Sequence, residues 1–142
     1  MRPSETRFGL RAPGVEAVLR ALQQDSGETF APSGAAAANN LGLTTQVPVR
    51  TIYLTSGPSR RLRFGAQTVE LQHAPPWQLM LPGRPAGEVV RALAWLGRER
   101  GAEITSRLKG RLPAETLAEL SHARGRMPTW MAEQISTLIA RA

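Results

Sequence analysis

The chain contains no cysteine, a single lysine (Lys109), a single aspartate (Asp25) and only two histidines among its 142 residues. Without thiols there are no disulfides, no thiolate nucleophile and no cysteine-held zinc, which suits a reducing, cytoplasmic setting. His73 and His122 stand in different halves of the chain, and neither has a companion at metal-ligand spacing. Hydrolytic chemistry needs paired carboxylates, a base with an orienting partner, or a metal cage. One aspartate in a helix-ending turn supplies none of these. Gly9, Gly14, Gly27 and Gly34 are scattered at spacings that match no phosphate-binding fingerprint. Apolar runs fall short of the roughly 20 residues that span a bilayer. The opening Met1–Leu10 is polar and lacks the apolar stretch of a signal peptide. The expectation is a protein with no membrane segment, no cofactor, no metal site and no enzymatic activity.

Arginine is what the chain has instead. Lys+Arg total 18 against 11 Asp+Glu, a net charge of +7, and all but Lys109 are arginine. The planar guanidinium fork suits phosphates and carboxylates, so the partner classes are DNA, RNA or an acidic protein surface. A coding bias toward arginine would produce the same composition, so placement has to carry the argument. Between Glu28 and Glu70 there is no acid, while Arg50, Arg60, Arg61 and Arg63 all fall there. A second basic run, Arg98, Arg100, Arg107, Lys109 and Arg111, is diluted by Glu99 and Glu103.

The length fits one domain able to bury roughly two thirds of its unfolded surface. Residues 1–14 read as a flexible arm and 15–142 as a single domain, with an α/β part over 15–83 and a helical part over 84–142. Val15, Val18, Leu19 and Leu22 fall at helical spacing, predicting a helix over Val15–Gln24 stopped by Asp25-Ser26-Gly27. Thr29–Ala31 is a short strand. Ala35–Leu41 is an alanine-rich helix with Gly42 as its C-terminal cap. Val49–Thr55 is a central strand, apolar on both faces. A hairpin, Arg60–Phe64 and Gln67–His73, turns at Gly65-Ala66 with the glycine of a two-residue type II′ turn. That turn sets Phe64 opposite Gln67, Arg63 opposite Thr68, Leu62 opposite Val69 and Arg61 opposite Glu70. Opposed residues share a face, so Leu62, Phe64, Val69 and Leu71 line one side, and Arg61, Arg63, Thr68 and Glu70 the other. Helices follow over Gly87–Arg100, around Glu103–Leu108, from Pro113, and from Pro128, the last with a Met131, Ile135, Leu138 and Ile139 stripe. The fold class is α/β in the α+β sense: a small, mainly antiparallel sheet packed by helices, with a helical C-terminal half.

Candidate binding residues are Arg50, Arg60, Arg61 and Arg63. Arg63 faces uncharged Thr68, and Arg60 stands at the start of its strand; Arg61 faces Glu70 as a cross-strand ion pair. His73 reads as hydrogen-bonded structure, and Thr55–Ser59 as a turn rather than an anion cradle. Trp77, Trp95 and Trp130 read as packing, with no aromatic beside the arginines. Glu70-Leu71-Gln72 is similar to the acid-x-lysine strand of nucleases but lacks the lysine, so a degenerate metal-dependent nuclease is the alternative class. General nucleic-acid binding is another. A helix-turn-helix across Pro113–Arg141 is weakened by Thr129-Trp130-Met131-Ala132, which packs rather than reads bases. A third class makes Met131, Ile135 and Leu138 an oligomerisation seam; the oligomeric state itself is left open.

Several stretches taken in order resemble the AbiEi-like antitoxin family. The block Pro32-Ser33-Gly34-Ala35-Ala36-Ala37-Ala38-Asn39-Asn40-Leu41-Gly42-Leu43-Thr44-Thr45-Gln46-Val47-Pro48 carries most of the resemblance. It runs into Tyr53-Leu54-Thr55-Ser56-Gly57-Pro58-Ser59-Arg60, and Pro128-Thr129-Trp130-Met131 is similar too. The resemblance implies the antitoxin of a bacterial type IV toxin–antitoxin or abortive-infection (phage-defence) pair. Its toxin would be a nucleotidyltransferase, a functional partner without a stable physical complex. Such antitoxins join a promoter-binding winged helix to a C-terminal domain. Met1–Gly14 is too short for the former, so the resemblance is to the C-terminal domain alone. No catalytic residue carries over.

Overall fold

The structure is a computed structural model that describes residues 13–140, the side chains of Pro13 and Phe64 excepted. Four strands, β1 (Phe30–Pro32), β2 (Thr51–Thr55), β3 (Arg60–Phe64) and β4 (Gln67–His73), form one sheet in the order β1-β2-β4-β3. The hairpin register is the expected one, including Arg61 opposite Glu70 and Arg63 opposite Thr68. Gly65 takes φ 63° while Ala66 keeps a negative φ, the division a type II′ turn needs. β1 pairs antiparallel with β2, and its Pro32, which has no N–H to give, sits on an edge strand. The one departure from antiparallel pairing is at the centre, where β2 and β4 run parallel, with Tyr53 beside Leu71 and Thr55 beside His73.

That parallel pair dictates a crossover. β2 and β4 end at the same margin of the sheet, yet β3, which follows β2, lies beyond β4. The connection over residues 56–59 therefore arches across the end of β4. Its polar groups staple it there: the His73 backbone N–H donates to Ser59 Oγ at 2.8 Å, and Ala74 N–H to the Thr55 carbonyl at 2.9 Å.

Six helices are described: α1 (Pro13–Ser26), α2 (Gly34–Asn40), α3 (Pro85–Leu96), α4 (Gly101–Leu108), α5 (Ala114–Ala123) and α6 (Thr129–Ala140). The arm expected over 1–14 lies outside the described residues except for Pro13 and Gly14, which already belong to α1. α1 lays Val15 and Leu19 on one face of the sheet against Tyr53, Val69 and Leu71. Each such buried side chain contributes on the order of 1.5–3 kcal/mol. On the opposite face Ala74 and Leu79 cover Ala31 and Leu54 on the β1–β2 side, while Arg61, Arg63, Thr68 and Gln72 of β3 and β4 are exposed.

The alanine-rich block owes its composition to packing. Ser33 caps α2 by accepting from the Ala36 N–H at 3.2 Å. Ala37 and Ala38 are fully buried in a core shared with α3, α4, α5 and α6. Gly42, at φ 75°, closes the helix: its N–H donates to the Asn39 carbonyl and the Leu43 N–H to that of Ala38, the paired bonds of a Schellman motif. Arg107 of α4 donates to the Gly42 and Leu43 carbonyls at 2.9 and 3.2 Å.

Two expectations fail in the helical half. α3 ends at Leu96 rather than Arg100, because Gly97 takes φ 94°, outside the right-handed helical region, and residues 98–100 form a separate 3-10 turn. Met131, Ile135 and Leu138 are buried in the protein's own core and form no seam for a second copy. Among the described residues, no helix is long and apolar enough to cross a membrane. One buried cation went unforeseen. Arg91 is 1% exposed, its Nη1 donates to the Gln78 and Met80 carbonyls, and burial lowers its pKa.

Candidate functional site

Residues Thr55–Arg60 form the most densely bonded polar region described. Glu28, from the turn between α1 and β1, reaches beneath the crossover loop, where its Oε2 accepts from Thr55 Oγ1 and Arg60 Nη1, each at 3.0 Å. Arg60 Nη2 donates to Oε1 at 2.8 Å, completing a fork-to-fork pair. Arg60 thereby holds the Glu28 carboxyl below the ordinary carboxylate range, against the upward push of its burial. A Cβ on Gly57 would lie 1.7 Å from Glu28 Oε2, so only glycine admits the carboxylate. The loop amides are engaged as well: Gly57 N–H donates to Thr55 Oγ1 and Ser56 N–H to the Thr29 carbonyl. This is a stapled turn and not an anion cradle. His73 belongs to the same fastening, its Nδ1 2.9 Å from the Gly57 carbonyl.

Arg60 is therefore not available to a partner, contrary to the expectation. The reason is register. Opposite Leu71, it shares the face of Leu62 and Val69 beneath α1, where a cation needs an internal counter-charge.

The remaining three arginines share the other face. Arg61 and Arg63 project from β3 on the side of Thr68 and Glu70, and Arg50 reaches the same side from the start of β2. Glu70 lies between Arg50 Nη1 at 2.8 Å and Arg61 Nη2 at 4.0 Å. The cross-strand partner expected for it is thus the more distant one. Arg50 and Arg61 keep 64% and 68% of their side chains exposed despite these contacts, so their outer edges remain open to a ligand. Arg63 is exposed, and among the described residues it makes no hydrogen bond or ion pair. Three guanidinium groups against one carboxylate leave this face cationic.

The face continues into a trough of two adjoining depressions, the farther of them largely apolar. A depression of about 330 Å³ between the starts of β2 and β4 is lined by Val49, Arg50, Thr68 and Glu70. A second, of about 370 Å³, is lined by Ala35, Val47, Pro48, Val49 and Trp95. The two meet at Val49, which is 98% exposed, beside Val47 at 60% and Trp95 at 44%. Trp77 and Trp130 pack against the helical core as expected, but Trp95 does not, and its ring lines the depression that meets the one beside Arg50 at Val49. A signal existed. Val89, Leu93 and Leu96 form the inward stripe of α3, and Trp95 falls off it.

The second basic run is exposed throughout, but three of its side chains have acceptors within the protein: Arg107 donates to the α2 terminus, Arg111 to the Arg107 carbonyl, and Arg100 to Glu103. In the tail, Arg124 is held by Ser121 and Ser136, binding the turn between α5 and α6 to both helices. Among the described residues, no three histidine or carboxylate side chains cluster as a metal site.

Compared with known proteins, the chain matches no curated protein and no solved structure. One family model matches residues 1–116, most of the chain, including α1, α2, the whole sheet, α3 and α4. The protein belongs to that family, described as a family of unknown function (DUF6088).

Proposed function

We propose that this protein is an antitoxin-like, non-enzymatic binding protein of a bacterial toxin–antitoxin or abortive-infection pair. It acts in the cytoplasm by holding nucleic acid on the open face of its sheet, countering a nucleotidyltransferase-type toxin. The observation that carries the binding half is the clustering of Arg50, Arg61 and Arg63 on one uncovered face around a single carboxylate. Guanidinium groups presented from β3 and from the start of β2, on either side of β4, suit a phosphate backbone. The antitoxin half rests on the ordered AbiEi-like blocks, whose residues form the capped α2 and the stapled crossover loop. Those blocks build the scaffold, and the arginine face is what the scaffold displays. The nuclease alternative has Glu70 as the acid of this face, engaged by arginine, and among the described residues no three histidine or carboxylate side chains gather as a metal site.

A salt titration of tRNA and DNA binding tests the reading. The expected result is a log-log slope that falls in the Arg61→Ala/Arg63→Ala double variant, by about 0.7–0.9 per lost phosphate contact. An affinity indifferent to salt, or unaltered in that variant, refutes it.

A further inference from the structure

The arginine face alone does not specify what form of nucleic acid it takes, but the trough beside it does. We infer that the surface running from Trp95 over Val47 and Val49 to Arg50, Arg61 and Arg63 accepts an unpaired strand, with a base stacked on the Trp95 ring and its phosphates on the arginines. This deepens the proposed function and rests on it.

Three observations converge. Trp95 stands half exposed on the outer side of α3, although its Cβ packs so closely over Gly34 that no other residue fits there. The base of the side chain is thus fixed while the ring lines an open depression. A large aromatic anchored at its root and exposed at its ring is a preorganised stacking platform. Val47 and Val49 add apolar surface that nothing in the described residues covers. Finally, Arg50 lines the neighbouring depression, so cationic and apolar surfaces are continuous through Val49 and Arg50.

A duplex presents its phosphates outward and hides the faces of its bases. It would meet the arginines and leave Trp95 and the valines unused. A single strand offers both groups at once, alternating phosphate and π-face, and aromatic stacking beside a basic track is how sequence-tolerant single-strand binders work. An acidic peptide would satisfy the arginines without a planar group for Trp95. The charge pattern and the aromatic together favour the unpaired strand.

The test measures binding of labelled oligonucleotides of about ten nucleotides, single-stranded and duplexed, to the full chain and to Trp95→Ala, Trp95→Phe and Arg61→Ala/Arg63→Ala. Thermal melting of each variant is recorded alongside, since removing the indole also removes the Trp95 Cγ that packs over Gly34. The expected result is tighter binding of the single strand at equal salt. Trp95→Ala should weaken it about five- to hundred-fold with an unaltered salt slope, Trp95→Phe should restore most of the loss, and the double arginine variant should lower the slope. Equal affinity for both forms, or a Trp95→Phe protein as weak as Trp95→Ala, overturns the stacking inference and leaves the arginine reading standing. Failure to bind either form at low salt, or binding of an acidic peptide alone, overturns both.

Discussion

Arg60 and Glu28 meet fork to fork, Nη2 to Oε1 at 2.8 Å and Nη1 to Oε2 at 3.0 Å, tying the start of β3 to the turn that leads into β1. Thr55 supports the same carboxylate from the end of β2, so a single glutamate joins three strands at one margin of the sheet. This is also where the chain crosses over the end of β4. Without the pair, the crossover loop would retain Ser56, Ser59, His73 and the Gly57 N–H bond to Thr55 Oγ1 as fasteners.

Arg60→Met should destabilise the protein by about 1–2 kcal/mol at neutral pH, from loss of charge-assisted hydrogen bonds to a carboxylate that remains 13% exposed. The pH dependence identifies the pair. Glu28 has a depressed pKa in the folded state, chiefly through its hydrogen bond to Arg60. Its contribution is present above the unfolded value of about 4.3 and is lost as pH falls through the folded one. Melting temperatures measured from neutral pH down to about pH 3 should therefore converge for the native and Arg60→Met proteins. A constant gap across that range would mean that Arg60 acts by packing alone.

The hairpin was legible because a two-residue turn and the opposition of side chains leave its register no freedom, and even the face of Arg60 follows from one more step, to Leu71. What could not be read was the partner. Glu28 lies 32 residues away, and the two meet only because β2 pairs parallel with β4 and throws the loop across. Local alternation does not say which distant strand takes the central place. Trp95 shows the opposite situation: its position off the apolar stripe was visible, but the depression that gives it a role depends on Val47 and Val49 lying beside it. The Ser33–Leu43 block was legible as a capped helix of small residues, and its contact with α3 follows from the absence of bulk.

That contact gives a second prediction. A Cβ on Gly34 would stand 2.5 Å from Trp95 Cβ and 2.6 Å from the Arg91 carbonyl oxygen. The obstacle is backbone and a fixed Cβ, so α2 must move as a unit. Gly34→Ala should cost about 1–3 kcal/mol by overpacking, outweighing the gain in helix propensity that alanine would otherwise bring. Urea unfolding measures it, and a neutral or stabilised variant would contradict the close approach of α2 and α3.

The arginines of the open face should separate by their present engagement. Among the described residues Arg63 has no internal partner and Arg61 only a distant one, whereas Arg50 gives up a 2.8 Å pair with Glu70 to reach a phosphate. Arg63→Ala and Arg61→Ala should each reduce the salt slope by about 0.7–0.9, and Arg50→Ala by less. Single-variant titrations against the same oligonucleotide rank them. A larger effect at Arg50 than at Arg63 would place the phosphates nearer the trough than the hairpin.

Glu70 is the counterpart of that argument. Its carboxylate occupies the place between Arg50 and Arg61 that an incoming phosphate would take, so the protein carries its own competitor for the site. Glu70→Gln removes the competing charge and leaves a neutral side chain of the same shape. Nucleic-acid affinity should rise about two- to five-fold at low salt, the equivalent of an exposed ion pair of about 0.5–1 kcal/mol, and the gain should fade as salt screens the face. The same variant divides binding from catalysis. If the native protein cleaved nucleic acid with magnesium or manganese and Glu70→Gln abolished that cleavage, this carboxylate would be a catalytic group. A variant that binds more tightly and has no cleavage to lose leaves Glu70 as a charge that tempers the grip of its neighbouring arginines.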